Sequence, residues 1–491
     1  MRDTSPDRPG PLRYLCAATA ILFAGVLLYS QTRAFSWDEG FHLLASQLIL
    51  AGKRPYLDFC FPQTPLNAYL MAGWMRLFGD TWRAVHVLGA LWVAAAAFVT
   101  ADFIRTRFPI PGWRLAGALA AVVAVGMNSQ VFLFGAIGQS YGLCLFLIVA
   151  AYRMAVIAVE RPGASRAAAA GLAAGVAAAS SLLTAPVGPI LLLWITIRNR
   201  AGNRWSKCAA FLAGAAIAFL PVAWLYRQGP EQTLFNLIFY QLKYRHKWTG
   251  ALNQDITALT SWIDSAQGLS LALLAVAGLW YIARKSDWPS ERRQEFYLST
   301  WLALGLTAEL ATAHPTFERY FLLVIPFVAI PAIAGLYDIG TRLTGPGRPL
   351  RAAFALIVIL TLGLGRALYE DSDSYSWNDV EKIAHQVETV TPPEANLWAD
   401  ELFYFLLHRP PPDGMEFAYA HDIEKMDATQ AASLHILTST ELRRRATAGE
   451  YKTVAACYDT ENTDAVKASE LYRQKAEIRD CTVYWDFSGH Q

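Results

Sequence analysis

Apolar stretches long enough to cross a bilayer recur through the first three quarters of this 491-residue chain. A hydrocarbon core of ~30 Å takes about 17–25 apolar residues in helical form. In lipid every backbone N–H and C=O needs an internal partner, so such stretches must be helices. They fall at 12–31, 84–103, 115–134, 140–158, 167–182, 184–197, 208–226, 267–283, 295–313, 320–338 and 352–369. The pattern predicts about eleven transmembrane helices. The two short stretches around Thr184-Ala185-Pro186 are also compatible with one kinked or re-entrant hairpin. With 54% hydrophobic and 17% charged residues the composition is that of a membrane protein, and a net charge of +2 gives no case for nucleic-acid binding.

Basic residues in short loops set orientation. Arg2, Arg8 and Arg13 precede the first stretch, and Arg105, Arg107 and Arg114 follow the second. Arg161 and Arg166, then Arg198, Arg200, Arg204 and Lys207, then Arg284, Lys285, Arg292 and Arg293, then Arg342, Arg348 and Arg351 continue the series at every second connection. This side is expected to be cytoplasmic, as is the N-terminus. Residues 1–31 read as an uncleaved anchor, because the apolar run is long and no small-x-small site precedes Gln31.

Three longer segments then lie outside: a first loop at 32–83, a second at 227–266, and everything from 370 to 491. The first two belong with a membrane domain of residues 1–369. The tail is polar and charged. A helix is expected from Asp379 to the Thr391-Pro392-Pro393 break, with strands at Leu434–Leu437, Thr453–Ala456 and Thr482–Trp485. It reads as a small extracytoplasmic α/β domain, in which a Cys457–Cys481 bridge is chemically permitted. Within the first loop, Leu43–Leu50 and Leu66–Leu77 read as interfacial helices.

Chemistry-bearing residues concentrate on that outer side. Asp38-Glu39 sits just past the first helix, flanked by Phe35, Trp37 and Phe41. Desolvated carboxylates near a bilayer are costly, so the pair is either a catalytic site or a solvated cap. Asp58 is set in Pro55-Tyr56-Leu57-Asp58-Phe59-Cys60-Phe61-Pro62, where prolines stiffen the chain and rings suit sugar stacking. Lys243 and Arg245, in Lys243-Tyr244-Arg245-His246-Lys247-Trp248, break the charge bias and suit either a phosphate or anionic headgroups. His314, Arg319 and Tyr320 open a late helix, where Arg319 can hold a phosphate or snorkel. Glu309 is an intramembrane acid. Asp38 and His42, with Asp58 as a third ligand, would be the candidate metal set, so a divalent metal is a possible cofactor.

Three of these motifs carry a resemblance: Trp37-Asp38-Glu39 after the first helix, Pro55-Tyr56-x-Asp58-Phe59 with Pro65-Leu66 in the same loop, and His314…Arg319-Tyr320-Phe321-Leu322 opening a late helix. In this order, over roughly residues 10–370, the chain resembles bacterial membrane glycosyltransferases of the GT-C superfamily, in the branch of protein O-mannosyltransferases and lipid A aminoarabinose transferases. The resemblance implies a bacterial plasma-membrane enzyme and a sugar donor linked to polyprenyl phosphate. Asp38 would be the base and Glu39 would orient the acceptor. Arg319 and the basic loop around Lys243 would hold the donor phosphate. The acceptor, whether lipid A, protein or another glycan, is not implied. A lipid-linked glycan ligase or polymerase, or a flippase, are the competing functions.

Overall fold

The structure is a computed structural model that describes residues 10–161, 163–199, 204–245, 256, 258–260, 265–284, 288–313, 315–345, 347–457 and 467–489. Helices occupy all eleven expected apolar stretches. Among the described residues five helices are long and apolar enough to cross a membrane alone: Gly10–Ser30, Trp82–Arg107, Tyr141–Glu160, Ala266–Arg284 and one beginning at Pro349. Arg204–Ala218 and Leu220–Gln228 make a sixth candidate, bent by 50° where Pro221 removes a backbone donor. The chain is a predominantly helical, multi-pass membrane architecture with a small C-terminal sheet.

The first helix, α1 (Gly10–Ser30), leads into α2 (Glu39–Leu50) and α3 (Leu66–Phe78), then α4 (Trp82–Arg107). Thr81 caps α4 by accepting from the Ala84 N–H. The stretch expected as one span at 115–134 is two helices, Arg114–Gly126 and Ser129–Phe134. Asn128 starts the second by accepting from the Gln130 N–H. The break is spliced by the Gln267 carboxamide, which donates to Met127 O and accepts from Ser129 N–H. Two backbone groups freed by the break are thereby paired inside the protein. The late helix also begins differently: a 3-10 turn at Glu318–Leu323 precedes Ile325–Thr344, in which Pro326 takes the first turn.

In the tail, Ser376 and Asp379 form a reciprocal cap, which starts the helix at Trp377 and not at Asp379. A four-stranded sheet of order β1-β2-β4-β3 follows, with β1 (Asn396–Trp398) parallel to β2 (Tyr451–Ala456). The strands β3 (Tyr472–Ile478) and β4 (Cys481–Phe487) complete it in antiparallel register, Val454 opposite Tyr484 and Ala476 opposite Val483. The expected strand at Leu434–Leu437 is instead a turn, because His435 adopts φ 55°. The edge strand β3 escapes the apolar pattern, since its outward Arg473, Lys475 and Glu477 are charged. Cys457 and Cys481 are bridged, tying the end of β2 to the start of β4.

The tail does not stand apart from the first loop. Leu43, Leu44, Met71, Met75, Trp82 and Val85 share one apolar core with Trp377, Val380, Leu402 and Phe403. Trp82 lies flat on Trp377 with ring centroids 3.9 Å apart. A second cluster joins Phe41, Tyr56, Phe59 and Phe61 to Tyr240, Phe417 and Leu434. Three sequence-distant segments thus converge over one place: the turn before α2.

Candidate active site

The turn Ser36–Gly40 is closed by Glu39 N–H to Ser36 O and Gly40 N–H to Trp37 O. Asp38 takes the position before the first residue of α2 but makes no side-chain cap to the helix. Its carboxylate turns instead into a cavity of about 850 Å³. There one oxygen pairs with the Arg319 guanidinium and the other accepts from the Tyr419 hydroxyl at 2.5 Å.

Glu39 goes the other way. It is 0% exposed, its Oε2 meeting His86 Nε2 at 3.0 Å and accepting from Gly138 N–H at 2.6 Å. His86 Nδ1 stands 2.7 Å from Ser30 O. A carbonyl only accepts, so the ring donates from Nδ1 there. Gly138 is needed at this approach, because a Cβ would come within 3.1 Å of the carboxylate and 2.9 Å of Leu43. Adjacent side chains on a helical turn diverge by about 100°, which gives the two carboxylates separate tasks. Glu39, expected to help orient the acceptor, does not line the cavity; it braces the turn beneath Asp38.

The cationic wall comes from two places. Arg319 stands 4.4 Å from the centroid of Phe317 and donates through Nε to the Tyr141 hydroxyl at 3.3 Å. Arg245 donates to the Tyr320 hydroxyl at 2.9 Å and to Gln241 Oε1 at 3.0 Å. Gln241 in turn donates to Pro62 O, fixing the second loop to the first. Tyr141 and Tyr320 lie with centroids 6.1 Å apart, so the two guanidiniums are linked through a phenol pair. Glu309 also lines the cavity.

Other expected site residues lie elsewhere. Asp58 is held by Arg54, which donates to both carboxylate oxygens at 2.9 Å, and neither residue lines the cavity. The i,i+4 partner satisfied the carboxylate locally, and Asp58 sits below the ordinary carboxylate range for that reason. Lys243 is exposed and stands 5.2 Å from the Phe239 ring centroid; among the described residues of that loop it is Arg245, not Lys243, whose cation lines the cavity. His314 lies outside the described residues, as do His246, Lys247 and Trp248. The Asp38–His42–Asp58 metal set is not assembled: Asp38 is engaged by Arg319 and Tyr419, and Asp58 by Arg54. Among the described residues no group of three His, Cys, Asp or Glu is placed to hold a metal ion. His42 lines the cavity beside Phe41 and Phe61, and burial pushes it down to about 4 against the opposing pull of Asp38.

Tyr141 and Tyr419 are the members that sequence reasoning missed. Tyr141 opens its helix and belongs to no motif. Tyr419 comes from the tail, 381 residues beyond Asp38.

No family model and no curated protein matches the sequence. The structure, in contrast, is similar to ArnT from Cupriavidus metallidurans bound to undecaprenyl phosphate, at TM-score 0.66 and 15% identity, covering 96% of this chain and 97% of that one. It is also similar to an oligosaccharyltransferase from Archaeoglobus fulgidus, at TM-score 0.59 and 12% identity over 94% of this chain and 71% of that one. The archaeal oligosaccharyltransferase AglB from the same organism, in complex with an inhibitory peptide and a dolichol-phosphate, gives TM-score 0.53 at 12% identity, over 93% of this chain and 71% of that one. The chain therefore shares the fold of these proteins along almost its whole length.

Proposed function

We propose that this chain is an inverting glycosyltransferase that moves a sugar from a polyprenyl-phosphate donor to an acceptor hydroxyl on the outer face of a bacterial plasma membrane. The observation that carries the reading is the meeting of one carboxylate, Asp38, with Arg319 in a cavity that Arg245 also lines. A base and an anion site must be adjacent in this reaction, because the proton leaves at one end of the displacement and the charge appears at the other. The likeness to ArnT and AglB supports the same reading through the lipid phosphates seen with those proteins.

In this scheme the donor phosphate takes the guanidinium of Arg319, which frees one Asp38 oxygen. Arg245 adds a second charge-assisted contact. Leu182, Leu237 and Leu242 line the same cavity and suit the first isoprene units. The acceptor hydroxyl then attacks the anomeric carbon as Asp38 takes its proton. The bond from that carbon to the phosphate oxygen breaks, and the polyprenyl phosphate leaves with its charge met by the arginines. One displacement inverts the anomeric centre. The C-terminal domain stands on the outer side in this scheme.

The fold likeness to archaeal oligosaccharyltransferases gives a second reading, a ligase that transfers a longer glycan from a similar carrier. Membranes containing the wild type or Asp38→Asn, given labelled undecaprenyl-phosphate pentoses and hexoses, test the proposal. Label passing from the donor into lipid, protein or glycan with the wild type alone is expected. No transfer from any donor by a correctly inserted wild type, or equal transfer by Asp38→Asn, overturns it.

A further inference from the structure

The Asp38 carboxylate has no idle oxygen. Arg319 engages one, and the Tyr419 hydroxyl donates to the other at 2.5 Å. The proposed reaction accounts for the first contact, since a phosphate competes for Arg319. It leaves the second unaccounted for: once the phosphate has taken Arg319, the Tyr419 hydroxyl still occupies a lone-pair position on the other oxygen where an acceptor hydroxyl could donate.

Tyr419 is delivered by a strap, residues 414–423, that is anchored independently of Asp38. Ala418 N–H donates to Glu401 Oε1 at 2.5 Å, and within the strap Gly414 N–H donates to Glu416 Oε2 at 2.9 Å. The Tyr240 hydroxyl donates to Tyr419 O at 3.1 Å. Phe417 packs edge-on against Phe41 and Tyr240 with centroids 5.2 and 5.6 Å away. The backbone is thus held from outside the cavity, which Tyr419 lines together with Phe417.

We propose that the Tyr419 hydroxyl occupies the acceptor's place on Asp38 and acts as a latch that keeps water off the base until an acceptor hydroxyl displaces it. This rests on the transferase reading above. Tyr419 is a positioning residue in this role. Its phenol presents the same O–H group to Asp38 that an acceptor would, but with no anomeric carbon in line behind it. The acceptor then enters between the strap and the first loop, so Phe417 and Tyr419 border the surface that selects it.

The latch has a chemical consequence. Without it, water can stand on Asp38, give up a proton and attack the anomeric carbon. The carbon–oxygen bond to phosphate breaks, and free sugar and polyprenyl phosphate result. Full-length wild type, Tyr419→Phe, Asp38→Asn and the double variant, each in proteoliposomes with labelled undecaprenyl-phosphate sugars and no acceptor, are assayed for free sugar. The same four are assayed for transfer in native membranes. Tyr419→Phe is expected to raise free-sugar release about tenfold, the scale of one charge-assisted hydrogen bond to the base, and Asp38→Asn to abolish that release in the double variant. Unchanged hydrolysis by Tyr419→Phe with wild-type transfer intact would overturn the latch and leave the transferase reading standing. Hydrolysis and transfer falling together would make Tyr419 a structural residue and equally overturn it. Absence of transfer by the wild type and of hydrolysis by every variant would remove both readings at once.

Discussion

Glu39 and His86 meet at 3.0 Å with neither side chain exposed, and the bond ties the turn before α2 to the helix α4. Removing one partner of a buried pair strands the other, at a cost of about 3–5 kcal/mol. Glu39→Ala is therefore expected to lower the thermal midpoint and the yield of monodisperse protein, and Glu39→Gln to do so less. Transfer per folded molecule of Glu39→Gln should remain well above that of Asp38→Asn. Equal loss of activity in a fully stable Glu39→Gln would return Glu39 to the chemistry.

The two arginines are expected to differ from lysine. Arg319 spans Tyr141 and Asp38 with separate nitrogens, which a point charge cannot do. Arg319→Lys should lose about 10²–10³ in transfer rate, as for one preorganised donor to a developing oxyanion. Arg245→Lys should chiefly raise the donor concentration needed for half-maximal rate. Initial-rate measurements across donor concentrations separate the two.

Asp58 and Asp38 make a contrasting pair of carboxylates. Asp38→Asn should cut transfer by about 10²–10⁴, the range for a general base. Asp58→Asn should leave transfer near wild type, because Asp58 is paired with Arg54 and away from the cavity. A deep loss in Asp58→Asn would show that the first loop rearranges around the donor.

The bridge between Cys457 and Cys481 closes a 24-residue separation, and constraining a loop of this size is worth about 3 kcal/mol. Peptide mapping without reductant should recover the linked pair and leave Cys60, Cys144 and Cys208 as thiols. Cys481→Ser is expected to increase proteolysis of the tail. A tail equally resistant in that variant would assign its stability to the shared core alone.

The strap should loosen as pH rises. Burial pushes Glu416 up to about 7, and holds Glu401 well above the ordinary carboxylate range with Asp400 adding to it. A carboxyl raised in the folded state contributes stability that is complete below its unfolded value and is lost as pH rises through its folded one. His421, pushed down to about 4 by burial, works in the opposite sense and loses its contribution only as pH falls below its ordinary 6.5. Between about pH 6.5 and 8 only the acids act. Amide exchange of residues 414–423, corrected for intrinsic rates, should show falling protection across that window, and Glu416→Gln should flatten the fall. A flat wild-type profile would contradict the assignment.

Much of the membrane domain was legible because apolar length is a one-dimensional property. Asp38 and Arg319 were legible for a related reason: each is a charge out of place against an apolar or positive-inside pattern. The errors came where a local partner or a distant one decides. Asp58 was neutralised by Arg54, four residues away on the same turn. The divergence of Glu39 from Asp38 was foreseeable from helical geometry, but its His86 and Gly138 partners were not. Tyr419 reaches Asp38 across 381 positions, and no periodicity encodes such a contact. The edge strand β3 hid behind a charged face, and His435 turned an apolar run into a corner.

The stacking of Trp82 on Trp377 also orders events in the making of the protein. Synthesis proceeds from the N-terminus, so the first loop is made with its apolar face bare while nearly 300 further residues, up to Trp377, are still to be added. Its partner surface, from Trp377 through Phe403, is among the last to emerge. Until then Leu43, Met71 and Trp82 have only lipid headgroups or one another for cover. The site around Asp38 is therefore assembled last, by the arrival of the tail, and a chain interrupted before residue 377 has helices enough to remain in the membrane but no finished roof over its carboxylate.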